Sequence, residues 1–232
     1  RATVDRDERA AEGVVSVVPA KAGTHTPQHL TSAEEYGSRV SLSLARDDTK
    51  LFAHDAVSIH MPAPLTFLFK DDGAVPNNPA LPALIYKGAL DLADARDPAA
   101  AIEKLFKSNG WGHGQWRDGI FPFVHYHSMI HEALGIARGR ARVQLGGHRG
   151  ETFEFAAGDL AVLPAGTGHQ RLIASEDLLV VGAYPPQGTY NLCRGDNPAE
   201  RAKALTLIPK VPVPDSDPVH GQDGPLVKFW RR

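Results

Sequence analysis

The strongest constraint on the fold is a series of short segments between residues 120 and 183 in which apolar and polar residues alternate. Such alternation, rich in β-branched and aromatic residues, is typical of strands with one buried face. Glycines such as Gly139 and Gly158 separate the segments, where tight turns are needed. Short strands with this punctuation predict an all-β fold, an antiparallel sandwich or barrel. The predicted strands cover residues 120–126, 132–138, 140–145, 151–155, 160–163, 169–174 and 178–183.

Composition agrees with many short strands and excludes several classes of protein. The 232 residues include 22 glycines and 18 prolines, more than the roughly 12% that these two types share on average. A net charge of −2 gives no general attraction to nucleic acid or to an anionic membrane. No apolar run approaches the ~18 residues of a membrane helix. The single cysteine, Cys193, excludes an internal disulfide framework and is compatible with a cytoplasmic location.

The first sixty residues differ from the rest of the chain. Residues 1–60 contain 7 basic and 9 acidic residues, and Tyr36 and Phe52 are their only aromatic residues. We interpret 1–60 as a poorly ordered extension, with a strand or arm packed on the domain as the alternative. Met61 is a candidate natural start, and residues 61–232 are expected to form one domain.

One helix is predicted beside the strands. Asp97 can cap a helix that has Pro98 at its first position, strong helix formers follow, and Asn109 with Gly110 ends the run. This pattern predicts a short helix near residues 98–108. From residue 191 onward, repeated prolines predict an extended tail along the surface.

The histidines point to a metal site. His125 and His127 stand two positions apart on a predicted strand, so both side chains project from the same face, with Cα atoms about 6–7 Å apart. Glu132 opens the returning strand on that face. Two imidazoles beside a carboxylate are typical ligands of non-haem iron and also suit manganese, nickel or zinc. His169, which follows a glycine-rich turn, is the remaining candidate ligand.

Two groups of residues carry a family resemblance. The first group resembles the first cupin motif at every position and consists of Gly119, His125, His127, Glu132 and Gly139. The second group resembles the second cupin motif and consists of Gly158, Pro164, Gly166 and His169. That motif usually ends in asparagine, and this chain has Ile173 there. The flanking segments also resemble uncharacterised single-domain bacterial cupins over most of residues 61–232.

The cupin resemblance implies a double-stranded β-helix, which is a jelly-roll-like antiparallel sandwich. It also implies one divalent transition metal held by His125, His127, Glu132 and His169. Iron or manganese is favoured, with zinc or nickel as alternatives. A homodimer is expected because many cupins pair through outer strands. The resemblance supplies no substrate, and a degenerate site without metal is the alternative interpretation.

Strand alternation also predicts the walls of a small-molecule cavity. The apolar residues expected on the inward face are Phe121, Phe123, Leu134 and Ile136. Arg171 shares a face with His169, and a buried guanidinium needs an anionic partner. Arg171 is therefore expected to form a structural ion pair or, as a substrate-binding residue, to bind a substrate carboxylate.

These observations favour a metal-dependent enzyme that acts on a small organic molecule, with an organic acid as one option. Dioxygenase-type chemistry is the first choice, with the metal as redox centre or Lewis acid. One alternative is a metal-dependent isomerase or epimerase in which Glu132 or His131 moves protons. The other interpretation of His131 is a turn residue, or a residue that positions a metal ligand without binding the metal itself. A non-catalytic small-molecule-binding cupin is the third hypothesis, since fold alone does not separate these functions.

Overall fold

The computed structural model describes residues 58–60 and 63–231. The strands are β1 Ser58–Ile59, β2 Leu65–Phe67, β3 Ala83–Tyr86, β4 Leu90–Asp91, β5 His113–Asp118, β6 Glu132–Arg138, β7 Arg140–Leu145, β8 Glu151–Ala156, β9 Leu160–Leu163, β10 His169–Ala174 and β11 Leu179–Tyr184. The helices are α1 Pro98–Ser108, α2 Pro198–Leu207 and α3 Pro225–Trp230, and 3₁₀ turns cover Gly147–Arg149 and Ile208–Lys210.

The strands form two main sheets in which every pair of neighbours is antiparallel. One sheet has six strands in the order β2-β3-β9-β6-β11-β5, and the other has three in the order β10-β7-β8. Strands β1 and β4 form a separate antiparallel pair. This arrangement confirms the predicted fold class, an antiparallel β-sandwich with few helices.

The space between the two main sheets is filled by alternate residues of their strands. Leu134 and Ile136 of β6 join Val143 and Leu145 of β7 and Val180 of β11 in one buried apolar cluster. Glu132 lies two positions before Leu134 on β6. The alternation of the strand therefore directs its carboxylate to the same interior, at one end of the sandwich.

The opposite face of the six-stranded sheet is covered by α1 and by the C-terminal segment. Ile102 and Phe106 of α1 pack on this face together with Trp230 of α3. Gly135 allows the close approach of α1, because a Cβ atom there would lie 2.8 Å from Cγ2 of Ile102. Strand β6 is thus buried on both faces.

One predicted strand needs correction, and one observed strand was not predicted. Residues 119–124 are irregular, and only His125 and Tyr126 of the predicted strand 120–126 form isolated bridges. Pro122 has no N–H to give to a ladder, which explains why a regular strand does not form there. Residues 113–118, whose composition is polar, instead form β5 at the edge of the six-stranded sheet.

The predicted helix at 98–108 is confirmed. Asp97 Oδ1 accepts a hydrogen bond from the Ala100 N–H at 3.0 Å, as expected of a helix cap. The predicted extended tail is wrong, because α2 and α3 lie within it. Pro198 and Pro225 stand at the beginnings of these helices, where a missing N–H costs nothing.

The predicted extension of residues 1–60 falls almost entirely outside the described residues. Of it, only residues 58–60 are described, and Ser58–Ile59 pairs with Leu90–Asp91. Among the helices of the described part, none has the length and apolar character needed to cross a membrane.

A buried carboxylate fastens the C-terminal segment to the six-stranded sheet. Asp217 is fully buried, and its Oδ1 accepts hydrogen bonds from the N–H groups of Val219 and His220 at 2.8 and 3.0 Å. Its Oδ2 accepts from the Leu226 N–H at 3.0 Å and from the hydroxyl of Tyr86 on β3. Burial and the charge of Asp217 raise the pKa of Tyr86 above its usual range, so the phenol remains a donor.

We expect Asp217→Ala to lower the free energy of unfolding by roughly 3 kcal/mol, because several buried donors lose their acceptor. The matched control is Asp215→Ala, which removes an 81%-exposed carboxylate from the same segment and is expected to change stability by less than about 0.5 kcal/mol. Urea unfolding followed by circular dichroism measures both. Equal effects of the two substitutions would contradict the anchoring role of Asp217.

Candidate metal centre

Backbone pairing between the two sequence motifs sets the position of the histidines. The N–H of His125 donates to the carbonyl of His169 at 3.1 Å, and the N–H of His169 donates back to His125 at 2.8 Å. The Gly166 N–H donates to the carbonyl of His127 at 2.7 Å. On the other side, Tyr126 and Cys193 exchange two hydrogen bonds of 2.9 Å. The segment 125–127 is therefore held extended, with both histidines on one side.

Three histidine side chains converge in the interior. His125, His127 and His169 are all at least 95% buried, and each offers a ring nitrogen within 4.8 Å of the others. The Nδ1 atoms face the backbone carbonyls of Phe123, Asn191 and Thr167 at 3.1, 2.5 and 3.1 Å. A carbonyl only accepts, so each Nδ1 is the donor, and in the neutral form of each ring Nε2 carries the lone pair. This tautomer is the one that presents nitrogen ligands to a cation.

The carboxylate of Glu132 completes the cluster. Its Oε2 lies 3.4 Å from Nε2 of His127 and 3.2 Å from Nε2 of His169, and the side chain is buried. This oxygen accepts no hydrogen bond from the described residues. A buried anionic oxygen without a donor is costly. Three nitrogen lone pairs and one such oxygen form a donor set that fits a divalent metal ion.

Burial and the charges of neighbouring side chains shift the pKa values of the cluster. Burial, with a smaller contribution from the neighbouring His169, lowers the pKa of His125 to about 3. Burial also acts against a charged His127, but the carboxylate of Glu132 outweighs it and raises the pKa of His127. Burial would raise the pKa of Glu132, yet the two adjacent histidines hold it far below its usual range. A proton on His127 therefore partly supplies the charge that a metal would bring.

The cluster opens into a cavity of about 460 Å³. Seven aromatic or apolar side chains line it beside the histidines. These are Trp116, Ile120, Phe121, Ile130, Leu134, Tyr184 and Tyr190. Phe121 packs against His125, with ring centroids 5.1 Å apart, and Tyr190 packs against His127 at 4.9 Å. A small molecule in this cavity would contact both the donor set and aromatic rings.

A chain of hydrogen bonds fixes the second oxygen of Glu132. The hydroxyl of Tyr184 donates to Oε1 at 3.1 Å, and Nε1 of Trp116 donates to the Tyr184 oxygen at 3.0 Å. Gly182 pairs with Trp116 across the strands, and a Cβ atom at Gly182 would lie only 1.9 Å from the indole. Burial and the charge of Glu132 raise the pKa of Tyr184, which keeps it a donor. Oε2 is therefore the oxygen left for a cation.

The structure does not bring His131 to the site. Its Nδ1 accepts a hydrogen bond from the Ala165 N–H at 2.9 Å, and its ring packs on Trp230 with centroids 4.8 Å apart. Burial lowers the pKa of His131 to about 4. Neighbouring residues of an extended chain point to opposite faces. Because Glu132 points into the space between the two main sheets, His131 points to the opposite face, where it is buried beside Trp230. The predicted catalytic role of His131 is corrected accordingly.

Arg171 also lies outside the cavity lining. Its Nε donates to the carbonyl of Ile120 at 3.1 Å, and among the described residues no carboxylate lies within ion-pair distance of it. β10 is an edge strand with a register shift just after Arg171, so the long side chain reaches past the edge to the neighbouring loop. The predicted contact between Arg171 and a substrate carboxylate is not supported.

The predicted apolar walls are only partly found. Phe121 and Leu134 line the cavity, whereas Phe123 and Ile136 do not. Phe123 stacks on Phe121 with centroids 4.9 Å apart, because residues 119–124 are irregular and strand alternation does not apply there. Ile136 belongs to the apolar core between the sheets. Trp116, Tyr184 and Tyr190 also line the cavity and were not predicted from the sequence, although Tyr184 shares its strand face with Val180.

The fold and the donor set define the class of protein. The chain is a two-sheet antiparallel sandwich whose paired motifs bring His125, His127, His169 and Glu132 together, which is the fold and the candidate metal centre that the cupin resemblance implies. The uncharacterized protein YjlB of Bacillus subtilis (strain 168) is 39% identical over 165 residues, which cover 71% of this chain and 95% of YjlB. This chain therefore belongs to the same family as YjlB. No family model matches the chain.

Solved structures show weaker likeness. Acireductone dioxygenase from Bacillus anthracis, with a cadmium ion in its active centre, is 17% identical, and the match covers 42% of this chain and 63% of that one with a TM-score of 0.29. A variant of oxalate decarboxylase from Bacillus subtilis is 17% identical, with 62% and 34% covered and a TM-score of 0.30. This chain thus spans less than two thirds of either protein. Likeness at these TM-scores carries no conclusion about activity.

Metal binding is expected to release protons. Because the pKa of His127 is raised, metal-free protein holds a proton there that must leave when a cation binds. We expect about one proton to be released per ion at a pH below the raised pKa of His127, and an apparent affinity that falls on acidification. Calorimetric titration with Co²⁺ in two buffers of different ionisation enthalpy measures this number. An affinity that rises on acidification would contradict the assignment.

Tyr184→Phe is expected to weaken Co²⁺ binding about tenfold, since Glu132 loses the donor that orients it. The visible absorption spectrum of the bound Co²⁺ should also change. Tyr190→Phe is the matched control, because it removes a hydroxyl that lines the same cavity without bonding to Glu132. Identical affinities and spectra for the two variants would show that the hydrogen bond has no effect on the metal.

Proposed function

We propose that this chain is a metal-dependent enzyme that acts on a small organic molecule, and that dioxygenase-type chemistry is its reaction. The metal would be held by His125, His127, His169 and Glu132. The observation that carries the proposal is the convergence of three buried histidines on the buried Oε2 of Glu132, which lies 3.4 Å from Nε2 of His127 and 3.2 Å from Nε2 of His169.

The donor set also limits the metal. Three imidazoles and one carboxylate suit iron or manganese, and also zinc or nickel, whereas the absence of a thiolate among these ligands makes copper(I) a poor fit. When bound, iron or manganese supplies redox chemistry and open positions for a substrate and dioxygen. We favour iron or manganese for that reason.

The side chains around the cluster would prepare the reaction. The three histidines and Glu132 are buried at the wall of the 460 Å³ cavity, and burial strengthens the electrostatic interactions among them. Tyr184 holds one oxygen of Glu132 through a hydrogen bond in which the two oxygens are 3.1 Å apart. Glu132 is therefore kept ionised and oriented before any substrate enters.

An isomerase or epimerase is the second candidate, and a specific observation supports it. The buried hydroxyl of Tyr184 lies at the cavity wall and donates to Glu132, so it would hold this carboxylate in place while Glu132 moves protons. Zinc or manganese would then polarise a carbonyl group as a Lewis acid.

A homodimer and a cytoplasmic location also remain proposals.

The test is metal analysis of full-length protein purified without a histidine tag, followed by nitric oxide binding to the iron(II) form. Nitric oxide takes the place of dioxygen at an open iron position and gives a characteristic electron paramagnetic resonance signal. We expect about one iron or manganese ion per chain and a nitrosyl signal from the iron form. His127→Ala should lose most of the metal and the signal. His148→Ala is the matched control, because it removes an exposed histidine that does not line the cavity.

Each outcome discriminates among the candidates. Stoichiometric zinc together with an iron form that does not bind nitric oxide would favour the isomerase. Folded protein that takes up none of these metals would overturn the enzyme proposal and leave a non-catalytic binding cupin. Equal metal loss in His127→Ala and His148→Ala would show that the three-histidine cluster is not the site.

A further inference from the structure

The cavity beside the candidate metal centre exposes aromatic rings at its mouth. Phe121 is 44% exposed and Tyr190 is 51% exposed, although both side chains contact buried histidines. Deeper in the cavity, Trp116 and Tyr184 add two more rings, and Leu134 is apolar. Exposed rings that line a concave site, rather than standing alone on a surface, indicate a ligand that covers them.

The arginine that lines this cavity is already paired. The guanidinium of Arg117 binds Glu103 at 2.7 Å and Asp97 at 3.0 Å. Arg171 donates to a backbone carbonyl and Arg194 lies over the ring of Phe123 at 4.1 Å from its centroid, and neither of them lines the cavity. Among the described residues that line the cavity, no arginine or lysine is therefore left unpaired for an acidic ligand.

The one carboxylate at the cavity wall besides Glu132 adds to this argument. Asp118 lines the cavity and is exposed, and its Oδ1 accepts a hydrogen bond only from the N–H of the following glycine. Its negative charge disfavours a second carboxylate nearby. The walls thus favour a ligand without an acid group, contrary to the expectation that Arg171 had raised.

We propose that the ligand of this cavity is an uncharged aromatic compound whose ring packs against Phe121 and Tyr190 while its oxygen atoms reach the metal. This inference rests on the proposed function for the metal and deepens it by naming the substrate class. A cavity of about 460 Å³ is large enough for one or two fused rings. Neither Phe121 nor Tyr190 is a candidate metal ligand, so ring binding and metal binding are tested separately.

The experiment compares three chelators on Co²⁺-loaded full-length protein by calorimetry. Catechol supplies an uncharged ring, 3,4-dihydroxybenzoate adds a carboxylate to the same chelating pair, and acetohydroxamate chelates without a ring. Catechol is expected to bind more tightly than 3,4-dihydroxybenzoate. Phe121→Ala and Tyr190→Ala should each weaken catechol about tenfold, as expected for loss of an aromatic contact, and should leave acetohydroxamate within about twofold.

Two control variants sharpen the comparison. Leu172→Ala removes an apolar side chain that is also 44% exposed but does not line the cavity, so it should change none of the affinities. Tyr190→Phe keeps the ring and should retain the affinity for catechol. Metal content is measured in every variant, so that a loss of ligand binding is not confused with a loss of metal.

Two results would overturn the inference. One is tighter binding of 3,4-dihydroxybenzoate than of catechol together with loss of that preference in Arg171→Ala, because Arg171 would then bind the acid. The other is an equal loss of catechol and acetohydroxamate affinity in the two ring variants. If the wild-type protein takes no metal, the proposed function fails by itself. The ring preference is then measured with phenol against cyclohexanol on the same protein, and equal binding of these two overturns the inference.

Discussion

The negative charge of Glu132 is the constraint on which the site depends. A carboxylate that is buried at the end of a β-sandwich must be compensated, and its two oxygens meet this requirement in different ways. Oε1 accepts from Tyr184, while Oε2 faces the histidines without a hydrogen bond. In metal-free protein a proton on His127 provides part of the compensation. A divalent ion would provide it fully and would satisfy three nitrogen lone pairs as well.

The fold supplies this arrangement through pairing between segments that are distant in sequence. His125 and His169 exchange backbone hydrogen bonds, although 44 positions separate them. The side chains therefore meet as a consequence of strand pairing, before any contact between the rings. The opposite face of the six-stranded sheet is buried under α1 and the C-terminal segment. This double coverage makes β6, and with it Glu132, part of the rigid core.

The sequence predicts those features that follow from regular strands. Alternation on β6 and β10 places Glu132, Leu134 and His169 in the interior, and the structure agrees. The same rule already implies that His131 faces outward, beside Trp230. Prediction fails where no regular strand exists, as at Phe123 in the irregular segment that contains Pro122. It also fails for Arg171, because alternation gives the direction of the Cβ atom but not the end point of a long side chain at a sheet edge.

The wall of the cavity depends on residues outside the two motifs. Trp116 fits beside β11 only because Gly182 has no side chain, and its indole then orients the Tyr184 hydroxyl toward Glu132. The lack of a side chain at Gly182 thus helps to set the position of Oε1 of Glu132, through the two hydrogen bonds made by Trp116 and Tyr184. The same indole is part of the cavity surface. The shape of the cavity and the orientation of the carboxylate are therefore coupled. A substitution of Trp116 that reshaped the cavity for another small molecule would also change the orientation of Glu132.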